Sequence, residues 1–192
     1  MTTARRVLCA CALLGAGSIS AGCSDPVPPP AQGAASIHVG QRTGQNCPTL
    51  AHLANAPDPP RGQSQNVSAT EVKNKAVDRE GAQVRCKVKP AGGSFQVEAS
   101  ISVGNVSFSV DTTVADGQSN AQGSATEQDA ETEVTLTSQD VPCTIGVKGN
   151  ELGVAAGRIW GKIECTKVVD ARSPGNECAI DYGFFLFENC SQ

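Results

Sequence analysis

From Gly81 onward, apolar side chains recur at every second position. Val84, Cys86 and Val88 alternate with Arg85, Lys87 and Lys89, and a strand sends successive side chains to opposite faces at this same period. Pro90-Ala-Gly-Gly93 makes a turn, after which Phe95, Val97, Ala99, Ile101 and Val103 point one way. Gly104-Asn105 turns the chain again, and Val106, Phe108 and Val110 form a third alternating segment. These three segments predict a β-meander with one apolar face and one solvated face.

Ile37 and Val39, alternating with His38, predict an earlier strand. Further strands are expected at Glu133 to Thr137, Cys143 to Lys148, Val154 to Cys165 and Tyr182 to Glu188. Phe184-Phe185-Leu186-Phe187 is continuous rather than alternating, the pattern of a strand buried on both faces. Trp160, the sole tryptophan, is expected as a core anchor between sheets. Cys47-Pro48 to Pro60 holds four prolines and reads as loop. Ser68-Ala-Thr-Glu71 has capping-box spacing and opens either a helix through Val72, Ala76 and Val77 or a strand turning at Asp78 to Gly81. The fold class is therefore all-β with little helix, an antiparallel meander forming a sandwich or barrel-like domain.

Ahead of this domain the composition changes. Arg5 and Arg6 precede an uncharged apolar run from Val7 to Ile19. That is the order of a secretory signal, and the run is too short for the ~20 residues of a membrane-spanning helix. The run ends in Ser20-Ala21-Gly22-Cys23, which resembles the lipobox of bacterial lipoproteins through Ala21, Gly22 and Cys23; Ser20 stands where leucine is usual. The resemblance implies cleavage before Cys23 and lipid on its thiol. A diacylglyceryl group, at ~0.8 kcal/mol per buried CH₂, anchors a protein without a transmembrane helix. Ser24 after the cysteine implies an outer-membrane address in a bacterium that has one. The expected layout is a signal peptide over 1–22, a proline-rich tether over 23–34 and one domain over 35–192.

Cleavage removes Arg5 and Arg6 from 15 basic residues and none of the 19 acidic ones, which leaves a net charge near −6. An acidic domain of this kind is a poor partner for nucleic acid or anionic headgroups. Cys9 and Cys11 leave with the signal, and Cys47, Cys86, Cys143, Cys165, Cys178 and Cys190 remain. An even six in an exported chain predicts three disulfides. The preferred single pair is Cys165 with Cys178, because they bracket the turn-rich stretch Thr166 to Glu177. Closing that loop would contribute roughly 3 kcal/mol.

Catalytic chemistry is sparsely supplied. His38 and His52 are the only histidines; one sits at the polar position of a strand and the other in a loop, with no nucleophile elbow nearby. No metal-ligand motif or phosphate-binding glycine loop is present, so no cofactor is expected. The stretch Asp111 to Asp140 carries seven acids and no lysine or arginine, and reads as a mobile solvated loop, with a calcium site as its alternative. The resulting expectation is not an enzyme but a lipid-anchored envelope protein with a structural role or a protein or polymer ligand. The alternatives are a small envelope hydrolase and an enzyme inhibitor that presents Thr166 to Glu177 as a rigid loop.

Overall fold

The structure is a computed structural model that describes residues 28–40, 47, 51–54 (as backbone), 82–138, 141–149 and 152–192. Eleven strands are described: β1 (Gln32–Gly40), β2 (Ala51–Ala54), β3 (Ala82–Ala91), β4 (Ser94–Val103), β5 (Val106–Val114), β6 (Ala121–Asp129), β7 (Val134–Thr137), β8 (Cys143–Gly146), β9 (Gly153–Ala155), β10 (Arg158–Asp170) and β11 (Ser173–Glu188). All the strand pairs are antiparallel and run in the order β2-β1-β11-β10-β7-β6-β5-β4-β3. Between the long strands β6 and β10, β7 bridges one end and β8 the other.

The sheet curls into a small barrel because its far edge meets the end of β11. Val88 donates its N–H to the carbonyl of Ser191 at 2.9 Å, and Ser191 donates to Cys86 at 3.0 Å. Gly157, in the left-handed region with φ 79°, donates to Val88 and accepts from Cys190. Glycine adopts that backbone with little cost. The Cys86–Cys190 disulfide pins the same seam. Closure removes an exposed strand edge that would otherwise template aggregation.

The inner face is the one the alternation marks. Val88, Val97, Ile101, Phe108 and Val110 line it from β3–β5, and Ile37, Ile159, Ile163, Phe185 and Phe187 line it from β1, β10 and β11. The rings of Phe108 and Phe185 lie 6.0 Å apart and join the two halves across the core. Gly161 faces Phe185 on β11, and a Cβ there would run into the ring.

Several expectations need correction. The predicted loop from Asp111 onward holds the end of β5 and all of β6. Its inward residues are Ala121, Gly123, Ala125, Glu127 and Asp129, too small or too polar to register as an apolar period, yet a ladder with β5 pairs Gly123 to Asp129 and β8 pairs Ala121. Trp160 is not a core anchor. It is half-buried on the outer face, opposite Leu186, with the Arg158 guanidinium 5.5 Å over its ring. β1 begins at Gln32, ahead of the Ile37–Val39 alternation that marks it in the sequence. The helix-or-strand segment from Ser68 to Gly81 lies outside the described residues.

Candidate functional site

β3, β4, β5 and β6 are in register, so their outward residues form rows across the sheet. One row is Lys87, Glu98, Asp111 and Ser124; the next is Arg85, Ser100, Ser109 and Thr126. These residues, with Ser191 from the closing seam, line an open cleft of about 550 Å³. The inward neighbours on the same strands fill the core, so the alternation that builds the barrel also gathers its hydroxyls and charges on one outer surface.

Lys87 and Glu98 stand opposite each other in register, but no ion pair within 4.0 Å joins the charges of the cleft. Among the described residues, the ion pairs join Lys162 to Glu164, Lys167 to Glu177 and Arg172 to Glu133, with His38 3.8 Å from Asp181. Arg85, Lys87, Glu98 and Asp111 belong to none of them. Glu98 accepts one hydrogen bond, from Gln96 at 3.2 Å.

Behind the cleft wall the inner face carries an unusual acid. Glu127 is 1% exposed, between Phe108 of β5 and Leu136 of β7. Burial first, and then the neighbouring Asp129, push its carboxyl up to about 8 from an ordinary 4.5, since a low-dielectric site disfavours the charged form. Asp129 is turned to structural use. Its Oδ1 accepts from the backbone of Glu131 at 2.9 Å and its Oδ2 from the Thr132 hydroxyl at 2.8 Å, which shapes the β6–β7 turn.

The six cysteines form Cys47–Cys178, Cys86–Cys190 and Cys143–Cys165. Three disulfides were expected from the count, but the preferred pair Cys165–Cys178 does not form. Thr166 to Glu177 is no free loop. It is the far part of the β10–β11 hairpin, turning at Ala171-Arg172. Irregular register sets Cys165 opposite Ile180 and Cys178 opposite Val168, so neither cysteine faces the other. A segment presented there would be a β-hairpin tip rather than a loop closed by Cys165 and Cys178.

The other sequence candidates separate. Cys23 lies outside the described residues. His38 stacks flat on Tyr182, centroids 4.9 Å apart and planes 2° apart. His52 is not in a loop as expected of Cys47 to Pro60: Ala51–Ala54 pair with β1 as β2, with His52 opposite Ile37 in the backbone register. The acids from Asp111 to Asp140 disperse: Asp111 is in the cleft, Glu127 is in the core, Glu133 pairs with Arg172, and Asp116 accepts from the backbone of Val154 at 3.3 Å. Among the described residues no three His, Cys, Asp or Glu side chains are placed to hold a metal ion.

The cleft itself escaped sequence reading because only register shows that Lys87, Glu98 and Asp111 are neighbours. The one signal available was the run of serines and threonines at the outward positions of β4 and β5. No family model, no curated protein and no solved structure matches this chain.

Proposed function

We propose that this chain is a lipid-anchored cell-envelope protein whose disulfide-closed barrel binds a ligand in the cleft of β3–β6. The anchoring rests on Ala21, Gly22 and Cys23 and on the apolar run before them. Three disulfides fit an oxidising compartment outside the cytoplasm. The observation that carries the binding reading is the set of charges, Arg85, Lys87, Glu98 and Asp111, that make no ion pair among the described residues and are held among hydroxyls in one concave surface.

Binding accounts for these groups better than catalysis does. His38 is engaged by ring stacking and a nearby carboxylate rather than by a nucleophile, whereas acyl transfer wants a base hydrogen-bonded to one.

Labelled palmitate should enter the wild type and should not enter Cys23→Ala; equal labelling would remove the anchor from the reading. A deletion strain should be complemented by His38→Gln/His52→Gln and not by Arg85→Ala/Lys87→Ala/Asp111→Asn exported at normal levels. The reverse result would favour the hydrolase.

A further inference from the structure

Polar groups in the cleft are sorted by strand. Arg85 and Lys87 stand on β3, Glu98 and Asp111 on β4 and β5, and the hydroxyls of Ser100, Ser109, Ser124 and Thr126 on β4 to β6. With strands ~4.8 Å apart, the cationic column lies ~10 Å from Asp111 and ~15 Å from Ser124 and Thr126. A ligand spanning the cleft therefore meets positive charge at one end and acceptors and hydroxyls at the other.

We infer that the cleft binds a phosphorylated polyol, with its phosphate against Arg85 and Lys87 and its hydroxyls along Glu98, Asp111 and the Ser/Thr row. This deepens the binding reading above and rests on it. Three simpler ligand classes fit less well. A bare cation would sit beside Arg85 and Lys87, and a bare anion held there would leave Asp111 and the Ser/Thr row unused. A neutral sugar would leave both cations unused, and among the described residues no aromatic ring lines the cleft for it to stack on. A phosphorylated polyol satisfies both ends. Guanidinium and ammonium groups make charge-assisted bonds to phosphate oxygens. Carboxylates can only accept, and contiguous ligand hydroxyls donate to them. The volume, about 550 Å³, falls in the ~300–1,000 Å³ range of small-ligand sites.

The place of the cleft in the molecule gives this chemistry a source. Ser191, on the cleft rim, follows two residues after Asn189, whose Nδ2 donates to the carbonyl of Pro30 at 3.1 Å. The tether thus enters beside the cationic wall. Cys23 is seven residues before Pro30, at most ~25 Å of extended chain, so a headgroup in the anchoring membrane is within reach of the cleft, where the local Arg85 and Lys87 column, against the acidic balance of the whole domain, would meet its phosphate. The same chemistry is carried by a phosphoinositol headgroup and by free inositol phosphate, and the experiment separates them.

The mature chain carrying Cys23→Ser, lipid-free whether or not the wild type is acylated, is titrated with myo-inositol 1-phosphate, inorganic phosphate and myo-inositol. Phosphatidylcholine vesicles with and without phosphatidylinositol are tested in parallel. The inositol phosphate, free or in vesicles, should bind at least about tenfold more tightly than inorganic phosphate or inositol alone. Binding to vesicles and not to the free compound identifies a lipid source, and binding to both identifies recognition of the headgroup alone. Arg85→Ala/Lys87→Ala should lower the affinity about tenfold or more with an unchanged circular dichroism spectrum. Asp111→Asn should lower the preference over inorganic phosphate and leave phosphate binding intact. Equal affinity for phosphate and inositol phosphate, no binding of any probe, or affinity unchanged in Arg85→Ala/Lys87→Ala overturns the proposal. The complementation experiment decides the broader binding reading separately, since it requires no knowledge of the ligand.

Discussion

On the outer face of β3–β6, Arg85, Lys87, Glu98 and Asp111 stand among hydroxyls without ion-pair partners among the described residues, whereas β10 and β11 couple Lys162 to Glu164 at 3.3 Å and Lys167 to Glu177 at 2.6 Å. The difference extends to the apolar groups. The cleft on the first face is lined mostly by polar side chains; the second face holds Ala34 and Leu186, each no more than 2% exposed, with Trp160 and Phe184 packed against them. The first half of the barrel is therefore a one-sided sheet, and the second also carries a small apolar cluster on its outer side. A wall that has already satisfied its own charges and covered its apolar groups contributes stability, and a wall that has left its charges facing solvent can accept a ligand.

The largest expected effect comes from the bond that holds the two halves together. Cys86→Ala/Cys190→Ala removes a bridge spanning 104 positions, and losing a native disulfide costs about 2–5 kcal/mol. Denaturant unfolding of the exported domain measures this. A change below about 1 kcal/mol would mean that the Ser191 backbone bonds suffice to close the barrel.

Next, Leu186→Ala on the two-sided wall should cost about 2–5 kcal/mol, against less than about 0.5 kcal/mol for Ser109→Ala in the cleft. Equal costs would erase the comparison.

Behind the cleft, Glu127 makes stability depend on pH. Its folded pKa of about 8 lies above the ordinary 4.5, so the folded chain keeps a proton that the unfolded chain releases. The resulting stabilisation is complete below about pH 4.5, falls as pH rises and is lost through about pH 8. Glu127→Gln keeps a neutral side chain and should flatten the profile over that window. A wild-type profile already flat there would show that Glu127 is charged in the fold.

The smallest effect is expected at the rim of the second wall. Arg158→Ala should cost about 0.5–1 kcal/mol and alter the emission of Trp160, the chain's sole tryptophan. Unaltered emission would separate the guanidinium from the ring in solution.

The sequence alone determined the all-β class, the meander of β3–β5 and the count of three disulfides, because each follows from local pattern or from parity. Val84 to Val110 alternates strictly, since one face is solvated and the other is core. Phe184 to Phe187 announced a two-sided strand by the absence of alternation, and β11 places Phe185 and Phe187 inward and Leu186 outward. Tertiary structure decided the rest. β6 was invisible because its inward positions are Ala, Gly, Glu and Asp, whose burial comes from neighbours rather than from their own hydrophobicity. Trp160 was assigned to the core on residue type, and strand phase turned it outward, opposite Leu186. Disulfide partners and the cleft both depend on register, which joins residues such as Cys86 and Cys190, or Lys87 and Asp111, across tens of positions. Register is fixed by the backbone hydrogen bonds and the packing of the closed barrel, and a one-residue slip would send every one of these side chains to the opposite face.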